Sequence, residues 1–170
     1  KAHYDSNDLV VTISKVTDEI VKNVAPDVES IYHPHTVDTN VFKPLQEAEE
    51  VEFKNQFFKS NKDKVVFFWN NRNARRKQSG TLIYWFKEFL DKIGRDKAAL
   101  IMHTDVKDPH GQDLEVIIRE LGITNGEVMF STQKLPPEHL AKIYSTVDCT
   151  INISDAEGFG LATLESLACG

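Results

Sequence analysis

The stretch TINISDAEGFGLATLE, residues 150–165, decides the fold of this chain. A β-branched run, 150–153, leads into a turn that contains Gly158 and Gly160, and an apolar helical period follows from Leu161. The pattern predicts a strand, a glycine turn and a helix. Glu157 and Glu165 lie on either side of this turn, an arrangement that suits a ligand with phosphate at one end and hydroxyl groups at the other.

Upstream of this stretch, strands and helices alternate. Short apolar runs at 65–69, 98–102, 127–130 and 149–153 predict strands, and periodic segments at 81–93, 113–121 and 136–147 predict helices between them. A further strand, helix and strand are predicted within 9–32, and a helix within 46–60. This order predicts an α/β protein with a doubly wound parallel sheet.

The composition excludes several classes of protein. The 170 residues carry a formal net charge of −6, which disfavours nucleic acid as a partner, and no apolar run reaches the ~20 residues that span a bilayer. Cys149 and Cys169 are expected to be buried, reduced thiols, which favours a cytoplasmic protein. His33 and His35 lack the spacing and the carboxylate neighbours of a metal site, so we expect no metal there and favour packing in a loop.

Two unusual segments are expected to meet at one edge of the sheet. In a doubly wound sheet of order 3-2-1-4, the first and fourth strands are neighbours, and ligands bind beyond their carboxyl ends. The first strand leads into Arg72, Arg75, Arg76 and Lys77, and the fourth leads into 157–165. Cationic side chains facing a glycine turn and a helix N-terminus predict a diphosphate clamp. A solvated basic loop, a surface position for Glu165 and a helix-end charge for Glu157 remain the alternatives.

With these motifs in place, the chain resembles the retaining GT-B glycosyltransferases of family GT4, the group 1 glycosyl transferases. Residues 157–165 resemble the EX7E motif of the family, and Arg72 and Lys77 resemble the basic pair of its Gly-Arg-x-x-x-x-Lys-Gly segment. Residues 33–44 resemble its interdomain stretch, and 135–148 resemble a helix that the family carries before the motif. The resemblance implies a Rossmann-like fold, the C-terminal half of a GT-B enzyme.

The resemblance also implies an activity and a site. The activity is transfer of a hexose from a nucleotide-diphosphate-sugar donor, with retention and without an obligatory metal or other cofactor. The implied catalytic residues are Glu157, Arg72 and Lys77, with Glu157 beside the donor sugar. Glu165 would bind ribose hydroxyls. The implied donor-binding residues are Arg72, Lys77, Gly158, Phe159, Gly160, Leu161, Glu165, Ser131 and Leu135, the last two flanking the base.

The same resemblance predicts the domain organisation. Residues 1–32 are expected to be the end of an N-terminal acceptor domain, 33–45 the interdomain linker, and 46–170 a donor domain truncated at its C-terminus. Such a fragment is expected to be inactive alone. Asn71, Gln78 and Thr36 stand where the family usually has glycine, which puts the geometry of the anion loop in question.

The acceptor, whether glycan, lipid or small molecule, and a membrane association of the parent protein are left open. Two other functions also remain. A GT-B-fold epimerase would convert a bound nucleotide sugar without an acceptor, and the EX7E spacing argues against it. A non-catalytic nucleotide-binding module would bind nucleotide and show no turnover even as the complete protein.

Overall fold

The computed structural model describes residues 1–170, apart from the side chain of Ser60. The chain divides into two compact units, one formed by 1–37 with 158–161 and the other by 38–157 with 162–170. The assignment of 1–32 to an acceptor domain, 33–45 to a linker and 46–170 to a donor domain stays a prediction.

The first unit contains a short parallel sheet. Its elements are α1 (Ala2–Asp5), β1 (Leu9–Thr12), α2 (Lys15–Val24) and β2 (Glu29–Tyr32), and β1 pairs with β2 in parallel. The buried side chain of Asp18 on α2 receives hydrogen bonds from Lys22 Nζ, at 2.6 Å, and from the Ser30 hydroxyl on β2. The bond from Ser30 attaches the helix to the strand that follows it, and the bond from Lys22 lies within the helix.

The second unit carries a four-stranded parallel sheet of order β5-β4-β3-β6. Its elements are α3 (Glu47–Phe57), β3 (Val65–Asn70), α4 (Ser79–Ile93), β4 (Ala98–His103), α5 (Leu114–Glu120), β5 (Val128–Ser131), α6 (Pro137–Thr146), β6 (Cys149–Thr150) and α7 (Leu161–Ala168). Two 3₁₀ turns lie at Lys59–Asn61 and Arg75–Lys77. The predicted doubly wound parallel sheet, with its first and fourth strands side by side, is confirmed.

The apolar patterns form the core as expected. The first five residues of β4 are buried, as are Val66, Phe68 and Trp69 of β3, and α4 contributes Leu82, Phe86 and Leu90 to the same core. This is the burial expected of parallel strands that are covered by crossover helices. The periodic run of α4 therefore determines which face of that helix meets the sheet.

Two expectations for the last strand were wrong. The predicted strand 149–153 is regular only at Cys149–Thr150, because Asn152 Oδ1 accepts a hydrogen bond from the amide of Ser154 and turns the backbone out of the ladder. Cys149 is exposed rather than buried, whereas Cys169 is buried as predicted. Cys149 lies at the edge of the sheet, where β6 pairs only with β3 among the described residues.

Candidate functional site

Three strands end in register at the edge where the basic segment begins. Asn70 of β3 pairs with His103 of β4, and His103 pairs with Ser131 of β5. These residues form a polar row at the carboxyl ends of the strands, where ligands of such sheets bind. The segments that follow β3, β4 and β6 provide the charged residues of the site.

Arg72 is fixed by a carboxylate from the next strand's loop. Its Nε donates to Asp108 Oδ2 at 2.6 Å, and its Nη2 donates to Oδ1 at 3.1 Å. This bidentate ion pair raises the pKa of Arg72. Hydrogen bonds from Arg72 and from the His110 amide lower the pKa of Asp108. The guanidinium itself stays largely exposed, so its outer edge is accessible to a ligand.

Lys77 meets Glu157 across the β3–β6 pair. The Lys77 side chain is only 7% exposed, and its Nζ lies 2.5 Å from Glu157 Oε1, whose side chain is 26% exposed. The structure therefore brings together two predicted catalytic residues that are 80 positions apart in the sequence. This contact follows from the adjacency of the first and fourth strands.

The charge on Glu157 is supported by more than the lysine. Burial by itself would raise the pKa of Glu157, but hydrogen bonds from Lys77, Ser154 and Asn152 outweigh it and lower the pKa. The Asn152 amide also donates to the Thr163 hydroxyl on α7 at 3.2 Å. Glu157 is thus an ionised carboxylate held in place at neutral pH.

Glu165 belongs to a different network. The Asn70 amide donates to Tyr144 Oη at 2.8 Å, and that hydroxyl donates to Glu165 Oε2 at 3.1 Å. Burial raises the pKa of Tyr144, which keeps the hydroxyl protonated as a donor. Burial also raises the pKa of Glu165, and the bond from Tyr144 only partly offsets it. Glu165 is half-buried, and its second oxygen, which accepts no side-chain hydrogen bond within the described structure, is accessible to a donor from outside the chain.

The raised pKa of Glu165 gives a test by stability. A group with a raised folded pKa stabilises the fold fully below its ordinary pKa of 4.5, and this contribution is lost as the pH rises through the folded value. Glu165→Gln keeps an acceptor for Tyr144 and carries no charge. We expect its melting temperature to exceed that of the native chain by a margin that grows from mildly acidic to neutral pH.

Thermal unfolding followed by circular dichroism at several pH values measures this margin. The exposed Glu138, on α6, supplies the control variant Glu138→Gln, for which the margin should not change with pH. A Glu165→Gln variant that melts below the native chain at neutral pH would contradict the desolvated carboxylate.

A cavity of about 290 Å³ opens beside Arg72. It is lined by Asn70, Asn71, Arg72, His103, Thr104, Asp105, Ser131, Thr132, Gln133 and Lys134. Thr104 is 8% exposed, and its hydroxyl has no hydrogen-bond partner among the described residues. The His103 Nδ1 and the Ser131 hydroxyl lie 2.9 Å apart, and burial lowers the pKa of His103, so the ring is neutral at physiological pH. The cavity thus offers uncharged polar groups beside the charged side chains of Arg72, Asp105 and Lys134.

The glycine turn is placed within the first unit. Residues 158–161 belong to that unit, where the rings of Phe159 and His35 meet edge to face with centroids 5.2 Å apart. Gly160 has φ of 88°, which a residue with a side chain rarely adopts. The predicted diphosphate contacts of Gly158, Phe159, Gly160 and Leu161 stay predictions.

The structure brings some of the predicted site residues together and leaves others apart. The structure brings Lys77 to Glu157 and places Arg72 and Ser131 on one cavity, whereas Leu135 is not among the residues that line it. Asp108, Tyr144 and Thr104 were missed. Tyr144 lies within the predicted helix 136–147 and within the segment 135–148 that resembles a helix of the family, but neither pattern assigned it to the site. No local pattern marks the other two.

Among residues 1–170, no three His, Cys, Asp or Glu side chains cluster in a way that could hold a metal ion, the Ser60 side chain being outside the description. No helix in the described part of the chain is long and apolar enough to cross a membrane.

Comparison with solved structures identifies the class of fold. Over 99% of this chain, the structure superposes on 43% of the α,α-trehalose 6-phosphate synthase from Burkholderia multivorans, with a TM-score of 0.79 and 10% identity. The C-terminal domain of a group 1 family glycosyl transferase from Francisella tularensis shares 22% identity, with a TM-score of 0.60 over 78% of this chain and 66% of that one. No protein-family model matches the sequence, and no curated protein matches it.

A third neighbour is a trehalose-6-phosphate structure from E. coli bound with UDP-2-fluoro glucose, which aligns with 97% of this chain and 44% of its own, at a TM-score of 0.72 and 13% identity. The fold is therefore that of a Rossmann-like half of a GT-B glycosyltransferase. The chain spans less than half the length of both trehalose-phosphate neighbours.

Proposed function

We propose that this chain is the donor-binding half of a retaining glycosyltransferase that uses a nucleotide-diphosphate sugar. The single observation that carries the proposal is the Lys77–Glu157 pair, which joins the basic segment after β3 to the carboxylate after β6 at the predicted ligand edge. Neighbours of the same fold were solved with UDP-2-fluoro glucose and with UDP and GlcNAc, which supports a nucleotide-sugar ligand.

The cations have a mechanistic reason to be there. Negative charge builds on the diphosphate as the bond to the sugar breaks, and fixed cations stabilise this charge in the transition state. Arg72 presents a fork to phosphate oxygens, and Lys77 supplies a point charge. We propose that these two residues supply the charge stabilisation without an obligatory metal, and that Glu157 lies beside the sugar.

The nucleoside end has its own support. Glu165 is a half-buried carboxylate with an oxygen that can accept further hydrogen bonds, and vicinal ribose hydroxyls would donate them. The unpartnered Thr104 hydroxyl and the His103–Ser131 pair suit the polar edge of a base in the cavity beside Arg72. Ser131 and Leu135 remain our candidates for the residues that flank the base.

Sugar transfer by the parent protein would need a second half and an acceptor. We propose that the chain binds nucleotide but does not transfer sugar alone, since catalysis in this fold takes place in a cleft between two halves. The acceptor would be a glycan, a lipid or a small molecule, and the donor would come from the cytoplasmic pool of nucleotide sugars.

Titration with UDP, GDP and ADP tests the donor site. We expect one of the three to bind saturably, and Arg72→Ala to weaken it by about 1–3 kcal/mol, because a charge-assisted contact to phosphate is lost. Amide NMR shifts or intrinsic tryptophan fluorescence report the binding.

Arg119→Ala is the matched control, since Arg119 is an exposed arginine on α5 whose one ion pair within the described part of the chain is with its neighbour Glu120. It should leave the affinity unchanged. A folded chain that binds none of the three nucleotides at millimolar concentration would remove the donor site.

A further inference from the structure

A second, larger cavity lies beside the donor edge. Its volume is about 760 Å³, and its walls come from the segment after β3, the loop after β4 and Asp155. The side chains that define its chemistry are Arg75, Arg76, His110 and Asp155. Arg75 and Arg76 were part of the diphosphate clamp predicted from the sequence, but none of the residues that we propose for the donor site lines this cavity.

The two arginines in this cavity differ from the other arginines of the chain. Arg72, Arg95 and Arg119 each lie within 4.0 Å of a carboxylate. Arg75 and Arg76 are exposed and have no carboxylate oxygen within that distance among the described residues. The chain has 26 Asp and Glu against 20 Lys and Arg, so two adjacent arginines left unpaired are a local excess of positive charge. Such a pair is suited to an anion from outside the chain.

The backbone that carries these arginines is held firmly. The Arg75 amide donates to the His110 carbonyl at 3.0 Å, and the Asp155 amide donates to the Arg76 carbonyl at 2.9 Å. Gly111 approaches Asn73 so closely that a Cβ at that position would overlap the Asn73 carbonyl oxygen. The walls are thus attached to each other by main-chain contacts, which lowers the cost of ordering them around a ligand.

Asp155 narrows the class of ligand. Its carboxylate accepts a hydrogen bond from Gln78 Nε2 at 2.7 Å, and it lies in the same cavity as the arginines. A carboxylate repels a bare anion, but it accepts hydrogen bonds from hydroxyl groups. A molecule with a phosphate at one end and hydroxyls at the other satisfies both kinds of group.

We propose that this cavity binds a phosphate monoester of a polyhydroxy compound, with Arg75 and Arg76 holding the phosphate and Asp155 accepting its hydroxyls. This site is separate from the donor site and does not depend on it. It gives a function to a basic pair that the donor site does not use.

Calorimetric titration of the chain with glucose 6-phosphate, inorganic phosphate and glucose tests the proposal. We expect glucose 6-phosphate to bind more tightly than inorganic phosphate, and glucose alone not to bind. The double variant Arg75→Gln with Arg76→Gln should lower the affinity for glucose 6-phosphate about tenfold or more, because two charge-assisted contacts are lost. No saturable binding at millimolar glucose 6-phosphate, or tighter binding of inorganic phosphate, overturns the proposal.

A matched control separates a site from a general effect of charge. Lys97→Gln with Arg119→Gln removes the same two charges from exposed positions outside the cavity and should leave the affinity for glucose 6-phosphate unchanged. An equal loss in this control shows non-specific attraction and overturns the proposal. Asp155→Asn should raise the affinity for inorganic phosphate and lower the affinity for glucose 6-phosphate. A purely structural role for Asp155 would not change the two affinities in opposite directions.

UDP distinguishes this site from the donor site. The Arg75/Arg76 double variant should bind UDP with the affinity of the native chain. Lys77→Met should lower the affinity for UDP and leave the affinity for glucose 6-phosphate unchanged. If the affinities of the double variant for UDP and for glucose 6-phosphate fall to the same extent, the two arginines bind the donor and the proposal of a second site is overturned. If only UDP fails to bind to the native chain, the donor proposal fails and this one stands.

Discussion

Replacing Lys77 by methionine is expected to weaken diphosphate binding and to lower the free energy of unfolding by about 2 kcal/mol. The Lys77 side chain is 7% exposed and lies 2.5 Å from a Glu157 oxygen. Methionine fills much of the lysine volume but leaves a partly buried carboxylate without its cation. The loss of stability comes from this unpaired charge, and the loss of binding comes from the missing positive charge at the ligand edge.

The double variant Lys77→Met with Glu157→Gln separates the two effects. A neutral pair has little cost of burial, so we expect stability to return to within about 1 kcal/mol of the native chain. Nucleotide affinity should stay low, because no cation has been restored. Urea unfolding and nucleotide titration measure the two quantities, and a stable Lys77→Met variant with native affinity would contradict both roles.

Asn73→Ala is expected to have the largest effect on stability, a loss of about 3 kcal/mol. Asn73 is 0% exposed, its amide donates to the Gln112 carbonyl at 2.7 Å, and its Oδ1 accepts from the Ser79 hydroxyl at 2.7 Å. Removing the side chain leaves the buried Ser79 hydroxyl and the Gln112 carbonyl without this partner. Because Asn73 lies between Arg72 and Lys77, we also expect nucleotide affinity to fall.

Asn71→Ala is a close control for this substitution. Asn71 is two residues away and only half buried, and its side chain makes no hydrogen bond among the described residues. Its loss should change the free energy of unfolding by no more than about 0.5 kcal/mol. Equal effects of the two alanine substitutions in urea unfolding would show that the buried network around Asn73 contributes nothing particular.

Much of the sheet could be predicted because its signals are local. The run 65–69 is apolar throughout, as a strand covered on both faces must be, and the period of 81–93 marks the helix that covers it. The handedness of parallel crossovers then leaves few orders for the four strands. The helix α4 began two residues earlier than predicted, at Ser79, and the last strand was shorter.

The candidate site could be predicted only in part. Arg72, Lys77, Glu157 and Glu165 carry spacing signals, so they were found. Asp108 and Tyr144 act through contacts with residues far away in the sequence, and Thr104 acts through its position in the cavity wall. No local pattern assigns any of the three to the site. The exposure of Cys149 likewise depends on its place at a sheet edge rather than on the apolar residues beside it.

The sequence by itself determined the alternation of strands and helices, because hydrophobic period is a property of the chain. The common 3-2-1-4 order of doubly wound sheets then predicted that β3 and β6 would be neighbours and that the residues after them would share one edge. The tertiary structure decided how the charges are paired. It placed Lys77 on Glu157, Arg72 on Asp108 and Tyr144 on Glu165, and it left Arg75 and Arg76 facing a cavity. These pairings depend on distances of a few ångströms between separate loops, which no pattern along the chain specifies.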